Sequence, residues 1–125
     1  MEYEQVLAIH DEIIRESGGE YGVLFESMLR NCLEKPLTEL FGHVIYQDIF
    51  EQVAAMMHCI ILSNAFVDGN KRTGLVVAKT LFEINGLLLN PDTNESIRYT
   101  LEIAQGNVEV MEVADWLRNH STQPS

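Results

Sequence analysis

Apolar residues recur at spacings of three, four and seven along most of the chain, the signature of amphipathic helices. Val6, Ile9 and Ile13, with Leu7 and Ile14, predict a first helix over about residues 3–16, which Ser17-Gly18-Gly19 stops. A second helix fits about 23–34, ending before Pro36. Phe50, Val53, Met57, Ile60 and Ile61 form the inner stripe of a third over about 46–63. A fourth runs from Lys71 to about Asn85 and closes at Gly86; its apolar residues fall on nearly every face, so it is expected at the centre of the bundle. Two shorter helices, about 94–105 and 108–119, are separated by Gly106-Asn107, and Val113, Trp116 and Leu117 mark the inner face of the last. No stretch alternates as a strand does, and there is no internal repeat. The expectation is an all-α domain, a compact bundle of about six helices over residues 1–120, with a tail at 121–125 that frays.

Composition adds limits. The chain has 125 residues, 46% of them hydrophobic, which is one domain with a real core. Eight basic against 19 acidic residues leave a net charge of −11. That argues against direct nucleic-acid binding and against anionic membrane surfaces. Apolar runs are too short to span a bilayer, and the start lacks a signal-peptide pattern. Cys32 and Cys59 stand alone, without metal-type spacing, so reduced thiols in a cytoplasmic protein are expected. The charge is also uneven. Residues 1–62 hold 3 basic and 11 acidic side chains, and residues 91–125 hold 2 and 6, whereas 63–90 hold 3 and 2.

The non-acidic stretch carries the candidate chemistry. Asn64-Ala65-Phe66-Val67-Asp68-Gly69-Asn70 reads as a loop, with Asn70 as a candidate N-cap and Lys71-Arg72 in the first turn of the next helix. Cations at a helix N-terminus are disfavoured by the helix dipole unless an anion sits there. Free N–H groups, the dipole and two cations together suit phosphate. Asp68 suits Mg²⁺, which prefers oxygen ligands and bridges phosphates. Phe66 is the apolar anchor of the loop, and Gly69 permits the turn. The segment is not a Walker A loop, which needs a second glycine upstream. A plain turn and cap, with Lys71 and Arg72 in solvent, fits the same residues. His10 reads as a packing or hydrogen-bonded residue of the first helix, and His58 projects away from the loop.

The run from Asn64 to Thr73 resembles the signature of the Fic/Doc superfamily, His-x-Phe-x-Asp/Glu-Gly/Ala-Asn-x-Arg between two helices of an all-α domain. Lysine at position 71 resembles the Doc (death on curing) branch, as do Ala8-Ile9-His10-Asp11, Gly18-Gly19 and Glu83-Ile84-Asn85-Gly86. The resemblance implies a toxin of a toxin–antitoxin module that moves the terminal phosphate of ATP to a threonine of elongation factor Tu and so blocks translation. Fic relatives instead transfer AMP to a protein hydroxyl. By position, Asp68 would bind Mg²⁺; Gly69, Asn70, Lys71 and Arg72 would cradle the phosphates of ATP; Phe66 would be structural. The partner implied is an antitoxin whose segment folds into a groove of the domain.

One position departs from the signature. The family's histidine, the general base, falls at Asn64, and an amide accepts no proton near neutrality. Helical extrapolation from Met57 and Ile60 turns Asn64 inward, toward the site. The substitution reads as inactivation of an otherwise intact site, as natural decay to a catalytically silent antitoxin-binding module, or as a change of chemistry. Intact Asp68 and Arg72 favour the first, with Asn64→His expected to restore transfer.

Overall fold

The computed structural model describes residues 1–124. Six helices form the body: α1 Tyr3–Ser17, α2 Glu26–Glu34, α3 Ile49–Ser63, α4 Asn70–Ile84, α5 Thr93–Ala104 and α6 Val110–Asn119. All six sit within a few residues of where the periodicity puts them. The N-terminal boundaries follow capping chemistry. The Asp48 and Asp92 carboxylates accept the N–H groups of Glu51 and Glu95 and start α3 and α5. Glu2 with Gln5, and Glu109 with Glu112, close reciprocal boxes at the starts of α1 and α6.

The hub is α3 rather than α4. It packs against α2, α4, α5 and α6, and buries Val53, Ala54, Ala55, Met56, Met57, Ile60 and Ile61. Helix α4, expected at the centre, leaves Ile84 mostly exposed and Leu75, Val76 and Lys79 half-buried. Two apolar clusters flank α3. One joins Val53, Met57 and Ile61 to Ala78, Phe82, Ile103, Val113 and Leu117. The other joins Met56 and Ile60 to Val6, Leu29, Cys32, Phe66 and Val77, and so anchors the segment after α3. Gly74 permits the closest α3–α4 approach: a Cβ there would lie 2.6 Å from Ile61 Cγ1.

Three details differ from the sequence reading. Short antiparallel pairs exist: β1 Glu39–Leu40 with β2 His43–Val44, and β3 Leu88–Leu89 with β4 Ser121–Thr122. Strands of two residues are too short to show alternation. The second pair also takes in the start of the tail expected to fray, with Asn90 N–H donating to the His120 carbonyl beside it; Ser125 lies outside the described residues. Cys32 and Cys59, expected as free thiols, are joined by a disulfide that ties α2 to α3. Their Cα atoms are 5.3 Å apart because the two helices pack side by side, a proximity that 27 residues of separation conceal. Among the described residues, no helix is long and apolar enough to cross a membrane.

Candidate active site

The loop between α3 and α4 is built from the inside outward. Asn64 caps α3 in the left-handed conformation, φ 49° and ψ 40°, which asparagine tolerates well. The helix therefore ends at Ser63, and extrapolation at 100° per residue fails one residue later. Asn64 is exposed, not turned inward, and its side chain makes no hydrogen bond to the described residues. Ala65 and Phe66 then enter the core, both essentially fully buried. The Ala65 carbonyl accepts the N–H groups of Leu24 (2.7 Å) and Phe25 (3.1 Å), Val67 N–H donates to the Gly22 carbonyl (3.1 Å), and Val23 bridges Phe66. Residues 22–25 thus hold the loop as a neighbouring strand would.

Phe66 is the anchor expected of it, and its partner is His10. The two rings stack at 3.9 Å with 4° between planes. His10 is buried on the α1 stripe Tyr3, Val6, His10, Ile14, and its Nε2–H donates to the Asp68 carbonyl oxygen at 2.7 Å. This fixes the Asp68 backbone and turns its carboxylate outward, half-exposed. Gly69 N–H donates to Asp68 Oδ1 (2.8 Å) and Glu20 N–H lies 3.4 Å from Oδ2. Gly19 is in van der Waals range of the same carboxylate; a Cβ on it would lie 2.7 Å from Oδ2. His10 is thus both packed and hydrogen-bonded, as the sequence predicts, whereas the Gly18–Glu20 turn carried no expected role at the site. The helical stripe placed His10 on the buried face, but nothing local named Asp68, 58 residues away, as its partner.

Gly69, not Asn70, is the N-cap of α4, and Asn70 is the first helical residue. The reason is a competing bond. The Asn70 amide closes the loop on itself, its Oδ1 accepting from Phe66 N–H and its Nδ2 donating to the Phe66 carbonyl, both at 3.0 Å. The two bonds hold the Asn70 side chain on the Phe66 backbone, and its own backbone N–H has no partner among the described residues. Gly69 holds φ 79°, and a Cβ there would press within 3.2 Å of Ile14 Cδ1, so both conformation and space call for glycine.

The first N–H groups of α4, those of Asn70, Lys71 and Arg72, donate to no partner among the described residues. Lys71 is exposed and unpaired there. Arg72 leans back over the loop, with Nη1 3.4 Å from the Gly18 carbonyl and Nη2 4.0 Å from Asp68 Oδ1. Lys71 and Arg72 open onto a cavity of about 540 Å³ between α4 and α5, floored by Leu75, Ile97 and Leu101 and rimmed also by Lys79. Three of the chain's eight cations line it and no carboxylate does. His58, by contrast, donates from Nε2 to the Val108 carbonyl and takes no part in this loop.

The donor set suits a magnesium–phosphate group. A single outward carboxylate stands beside free N–H groups at a helix N-terminus with two cationic side chains. Mg²⁺ takes few protein ligands and completes its shell from phosphate and water. Asp68 carries the carboxylate of this loop, and no cluster of three metal-binding side chains occurs among the described residues.

Similarity to known proteins agrees with this geometry. The Fic/DOC family matches residues 1–82, which run from α1 through most of α4. Toxin Doc of Mycolicibacterium smegmatis is 33% identical over 75 residues, covering 60% of this chain and 58% of that protein. The chain therefore spans a little over half the length of this curated relative. With α3, the site loop and most of α4 inside the matched span, the chain belongs to the Fic/DOC family.

Proposed function

We propose that this chain is a Doc-type toxin of a toxin–antitoxin module, with a site built to move the terminal phosphate of ATP to a protein hydroxyl. The observation that carries this reading is the convergence, on one helix turn, of three free N–H groups, Lys71, Arg72 and the Asp68 carboxylate. Backbone N–H groups and Lys71 would hold the phosphates, Arg72 would neutralise charge on the group in transfer, and Asp68 would hold Mg²⁺. Magnesium bound there supplies charge neutralisation across the phosphates. The chain's own part is positional: His10 and Gly19 set where the Asp68 carboxylate stands, and Asn70 sets the loop from which the helix begins. Asn64 holds no proton-accepting group, so the hydroxyl of the target lacks its base and the chain as it stands is catalytically impaired. The threonine of elongation factor Tu is the target that the family resemblance supplies.

We place the antitoxin in the α4–α5 cavity. Its basic rim and apolar floor, on a chain of net charge −11, suit an acidic amphipathic segment, and such a segment would compete with ATP at Lys71 and Arg72. The deciding experiment incubates purified Asn64→His protein with ATP labelled at the γ- or the α-phosphate, Mg²⁺ and elongation factor Tu. Transfer of γ-label supports the reading. Transfer of α-label makes the protein an AMP transferase, and ATP binding without transfer of either makes it a silent binding module.

A further inference from the structure

We infer that Cys59 is a site of thiol exchange, entered through its own surface cavity and coupled to the loop at the candidate active site. On the far side of α3 from α4, a cavity of about 360 Å³ is lined by Cys59, His58, Lys35, Met28, Tyr46 and Leu62 among others. The disulfide partners differ in access. Cys32 is fully buried in the apolar cluster with Leu29 and Ile60, whereas Cys59 is partly exposed and faces the cavity. An incoming thiol therefore reaches the Cys59 sulfur and expels Cys32.

The cavity supplies what the attack needs. The thiolate is the attacking species. Nε2 of His58 is committed as a donor to the Val108 carbonyl at 2.8 Å, so in the neutral ring Nδ1 carries the free lone pair. That nitrogen takes the proton of the incoming thiol. Lys35 forms no ion pair among the described residues and lines the same cavity, which favours a small thiol that also bears a carboxylate. The exchange balances. R–S⁻ bonds to Cys59 Sγ, the Cys59–Cys32 bond breaks, and Cys32 leaves with the electron pair and takes a proton. A second thiolate then attacks the mixed disulfide, forming R–S–S–R and freeing Cys59.

The consequence reaches the loop. The disulfide fixes the C-terminal half of α2 to α3, and residues 22–25, which lead into α2, carry the backbone bonds to Ala65 and Val67. Cys59 itself lies five residues before Asn64. Opening the bridge removes the covalent tie and leaves the packing of α2 on α3 and those three backbone bonds to hold the helix and the segment that leads into it.

The test uses the purified folded chain, reduced glutathione as the thiol, alkylation of freed cysteines and peptide mapping. Glutathione is expected on Cys59 with Cys32 alkylated. His58→Gln, which keeps a donor for Val108 but removes the base, is expected to slow the exchange about tenfold. Lys35→Ala is expected to slow glutathione but not uncharged 2-mercaptoethanol. After reduction, and equally in the Cys32→Ser/Cys59→Ser double variant, the amides of Leu24, Phe25 and Val67 are expected to exchange hydrogen about tenfold faster. Adducts on Cys32, exchange only after unfolding, free cysteines in the oxidised protein, or an unchanged rate in His58→Gln would each overturn the inference. None of these readings depends on ATP, so a failure here is separable from a failure of the toxin assignment.

Discussion

Replacing Asn64 with histidine tests the functional reading most sharply, because the structure predicts a large gain in rate at almost no cost in stability. Position 64 has left-handed backbone at φ 49°, ψ 40°, is exposed, and makes no side-chain hydrogen bond to the described residues. Asparagine and histidine are both enriched in that conformation, so the exchange should alter stability by no more than about 0.5 kcal/mol. For a chain of this size that is a shift of about 2 °C in Tm. A general base contributes about 10²- to 10⁴-fold in rate, or roughly 3–5 kcal/mol of barrier. The assay follows label from ATP to protein over a range of pH, beside a thermal melt of each variant. An exposed imidazole titrates near ~6.5, so transfer by Asn64→His should climb about tenfold per pH unit below that value and level above it. Adding Asp68→Ala should abolish the gain. A variant that melts within the stated shift, yet transfers label from neither phosphate and does not slow growth, refutes the reasoning. It would mean that the intact Asp68–Arg72 segment is not a transfer site awaiting its base.

Other expectations concern the supports of that segment. Gly19→Ala places a Cβ 2.7 Å from Asp68 Oδ2 on backbone at φ +123°, and should weaken Mg·ATP binding about tenfold or more by calorimetry. Gly18→Ala, where nothing lies within 4 Å, should cost some stability but leave binding intact; equal losses in both would show that carboxylate placement is not at issue. Gly74→Ala gains about 1 kcal/mol of helix propensity but meets Ile61 Cγ1 at 2.6 Å, so urea denaturation should show a net loss of about 1–2 kcal/mol. A more stable variant would disprove the tight α3–α4 contact. Burial, then Glu112 and Asp115, push the Tyr99 phenol up to about 12. Between pH 10 and 12 the unfolded phenol ionises while the folded one does not, so this group subtracts stability as pH rises through that window. Tyr99→Phe should flatten that alkaline decline, and absorbance titration should show a late-titrating phenol in the wild type that the variant lacks, with the raised Tyr3 phenol present in both.

What was legible in the chain was what depends on neighbours within a turn or two. Helix periodicity is such a property, and all six helices sit where it puts them. The candidate loop was legible because its residues are contiguous, and because 63–90 is the one stretch with more cations than carboxylates. The misreadings arise where a specific partner or an early helix end overrides a local rule. Asn70 obeys the residue preference for an N-cap, yet the Phe66 backbone claims its amide, and glycine takes the cap. Cys32 and Cys59 lack any motif, and only the packing of α2 on α3 brings them together. Asn64 follows the α3 stripe by arithmetic, but the helix has already ended. The same logic identifies what gives the loop its shape. His10, Gly19 and residues 22–25 all lie at least 40 residues before the groups they hold, and each holds backbone or a carboxylate through a specific distance. A loop of this composition without that N-terminal quarter would retain its motif and lose the outward set of Asp68. The first quarter of the chain is therefore as much a part of the site as the motif itself.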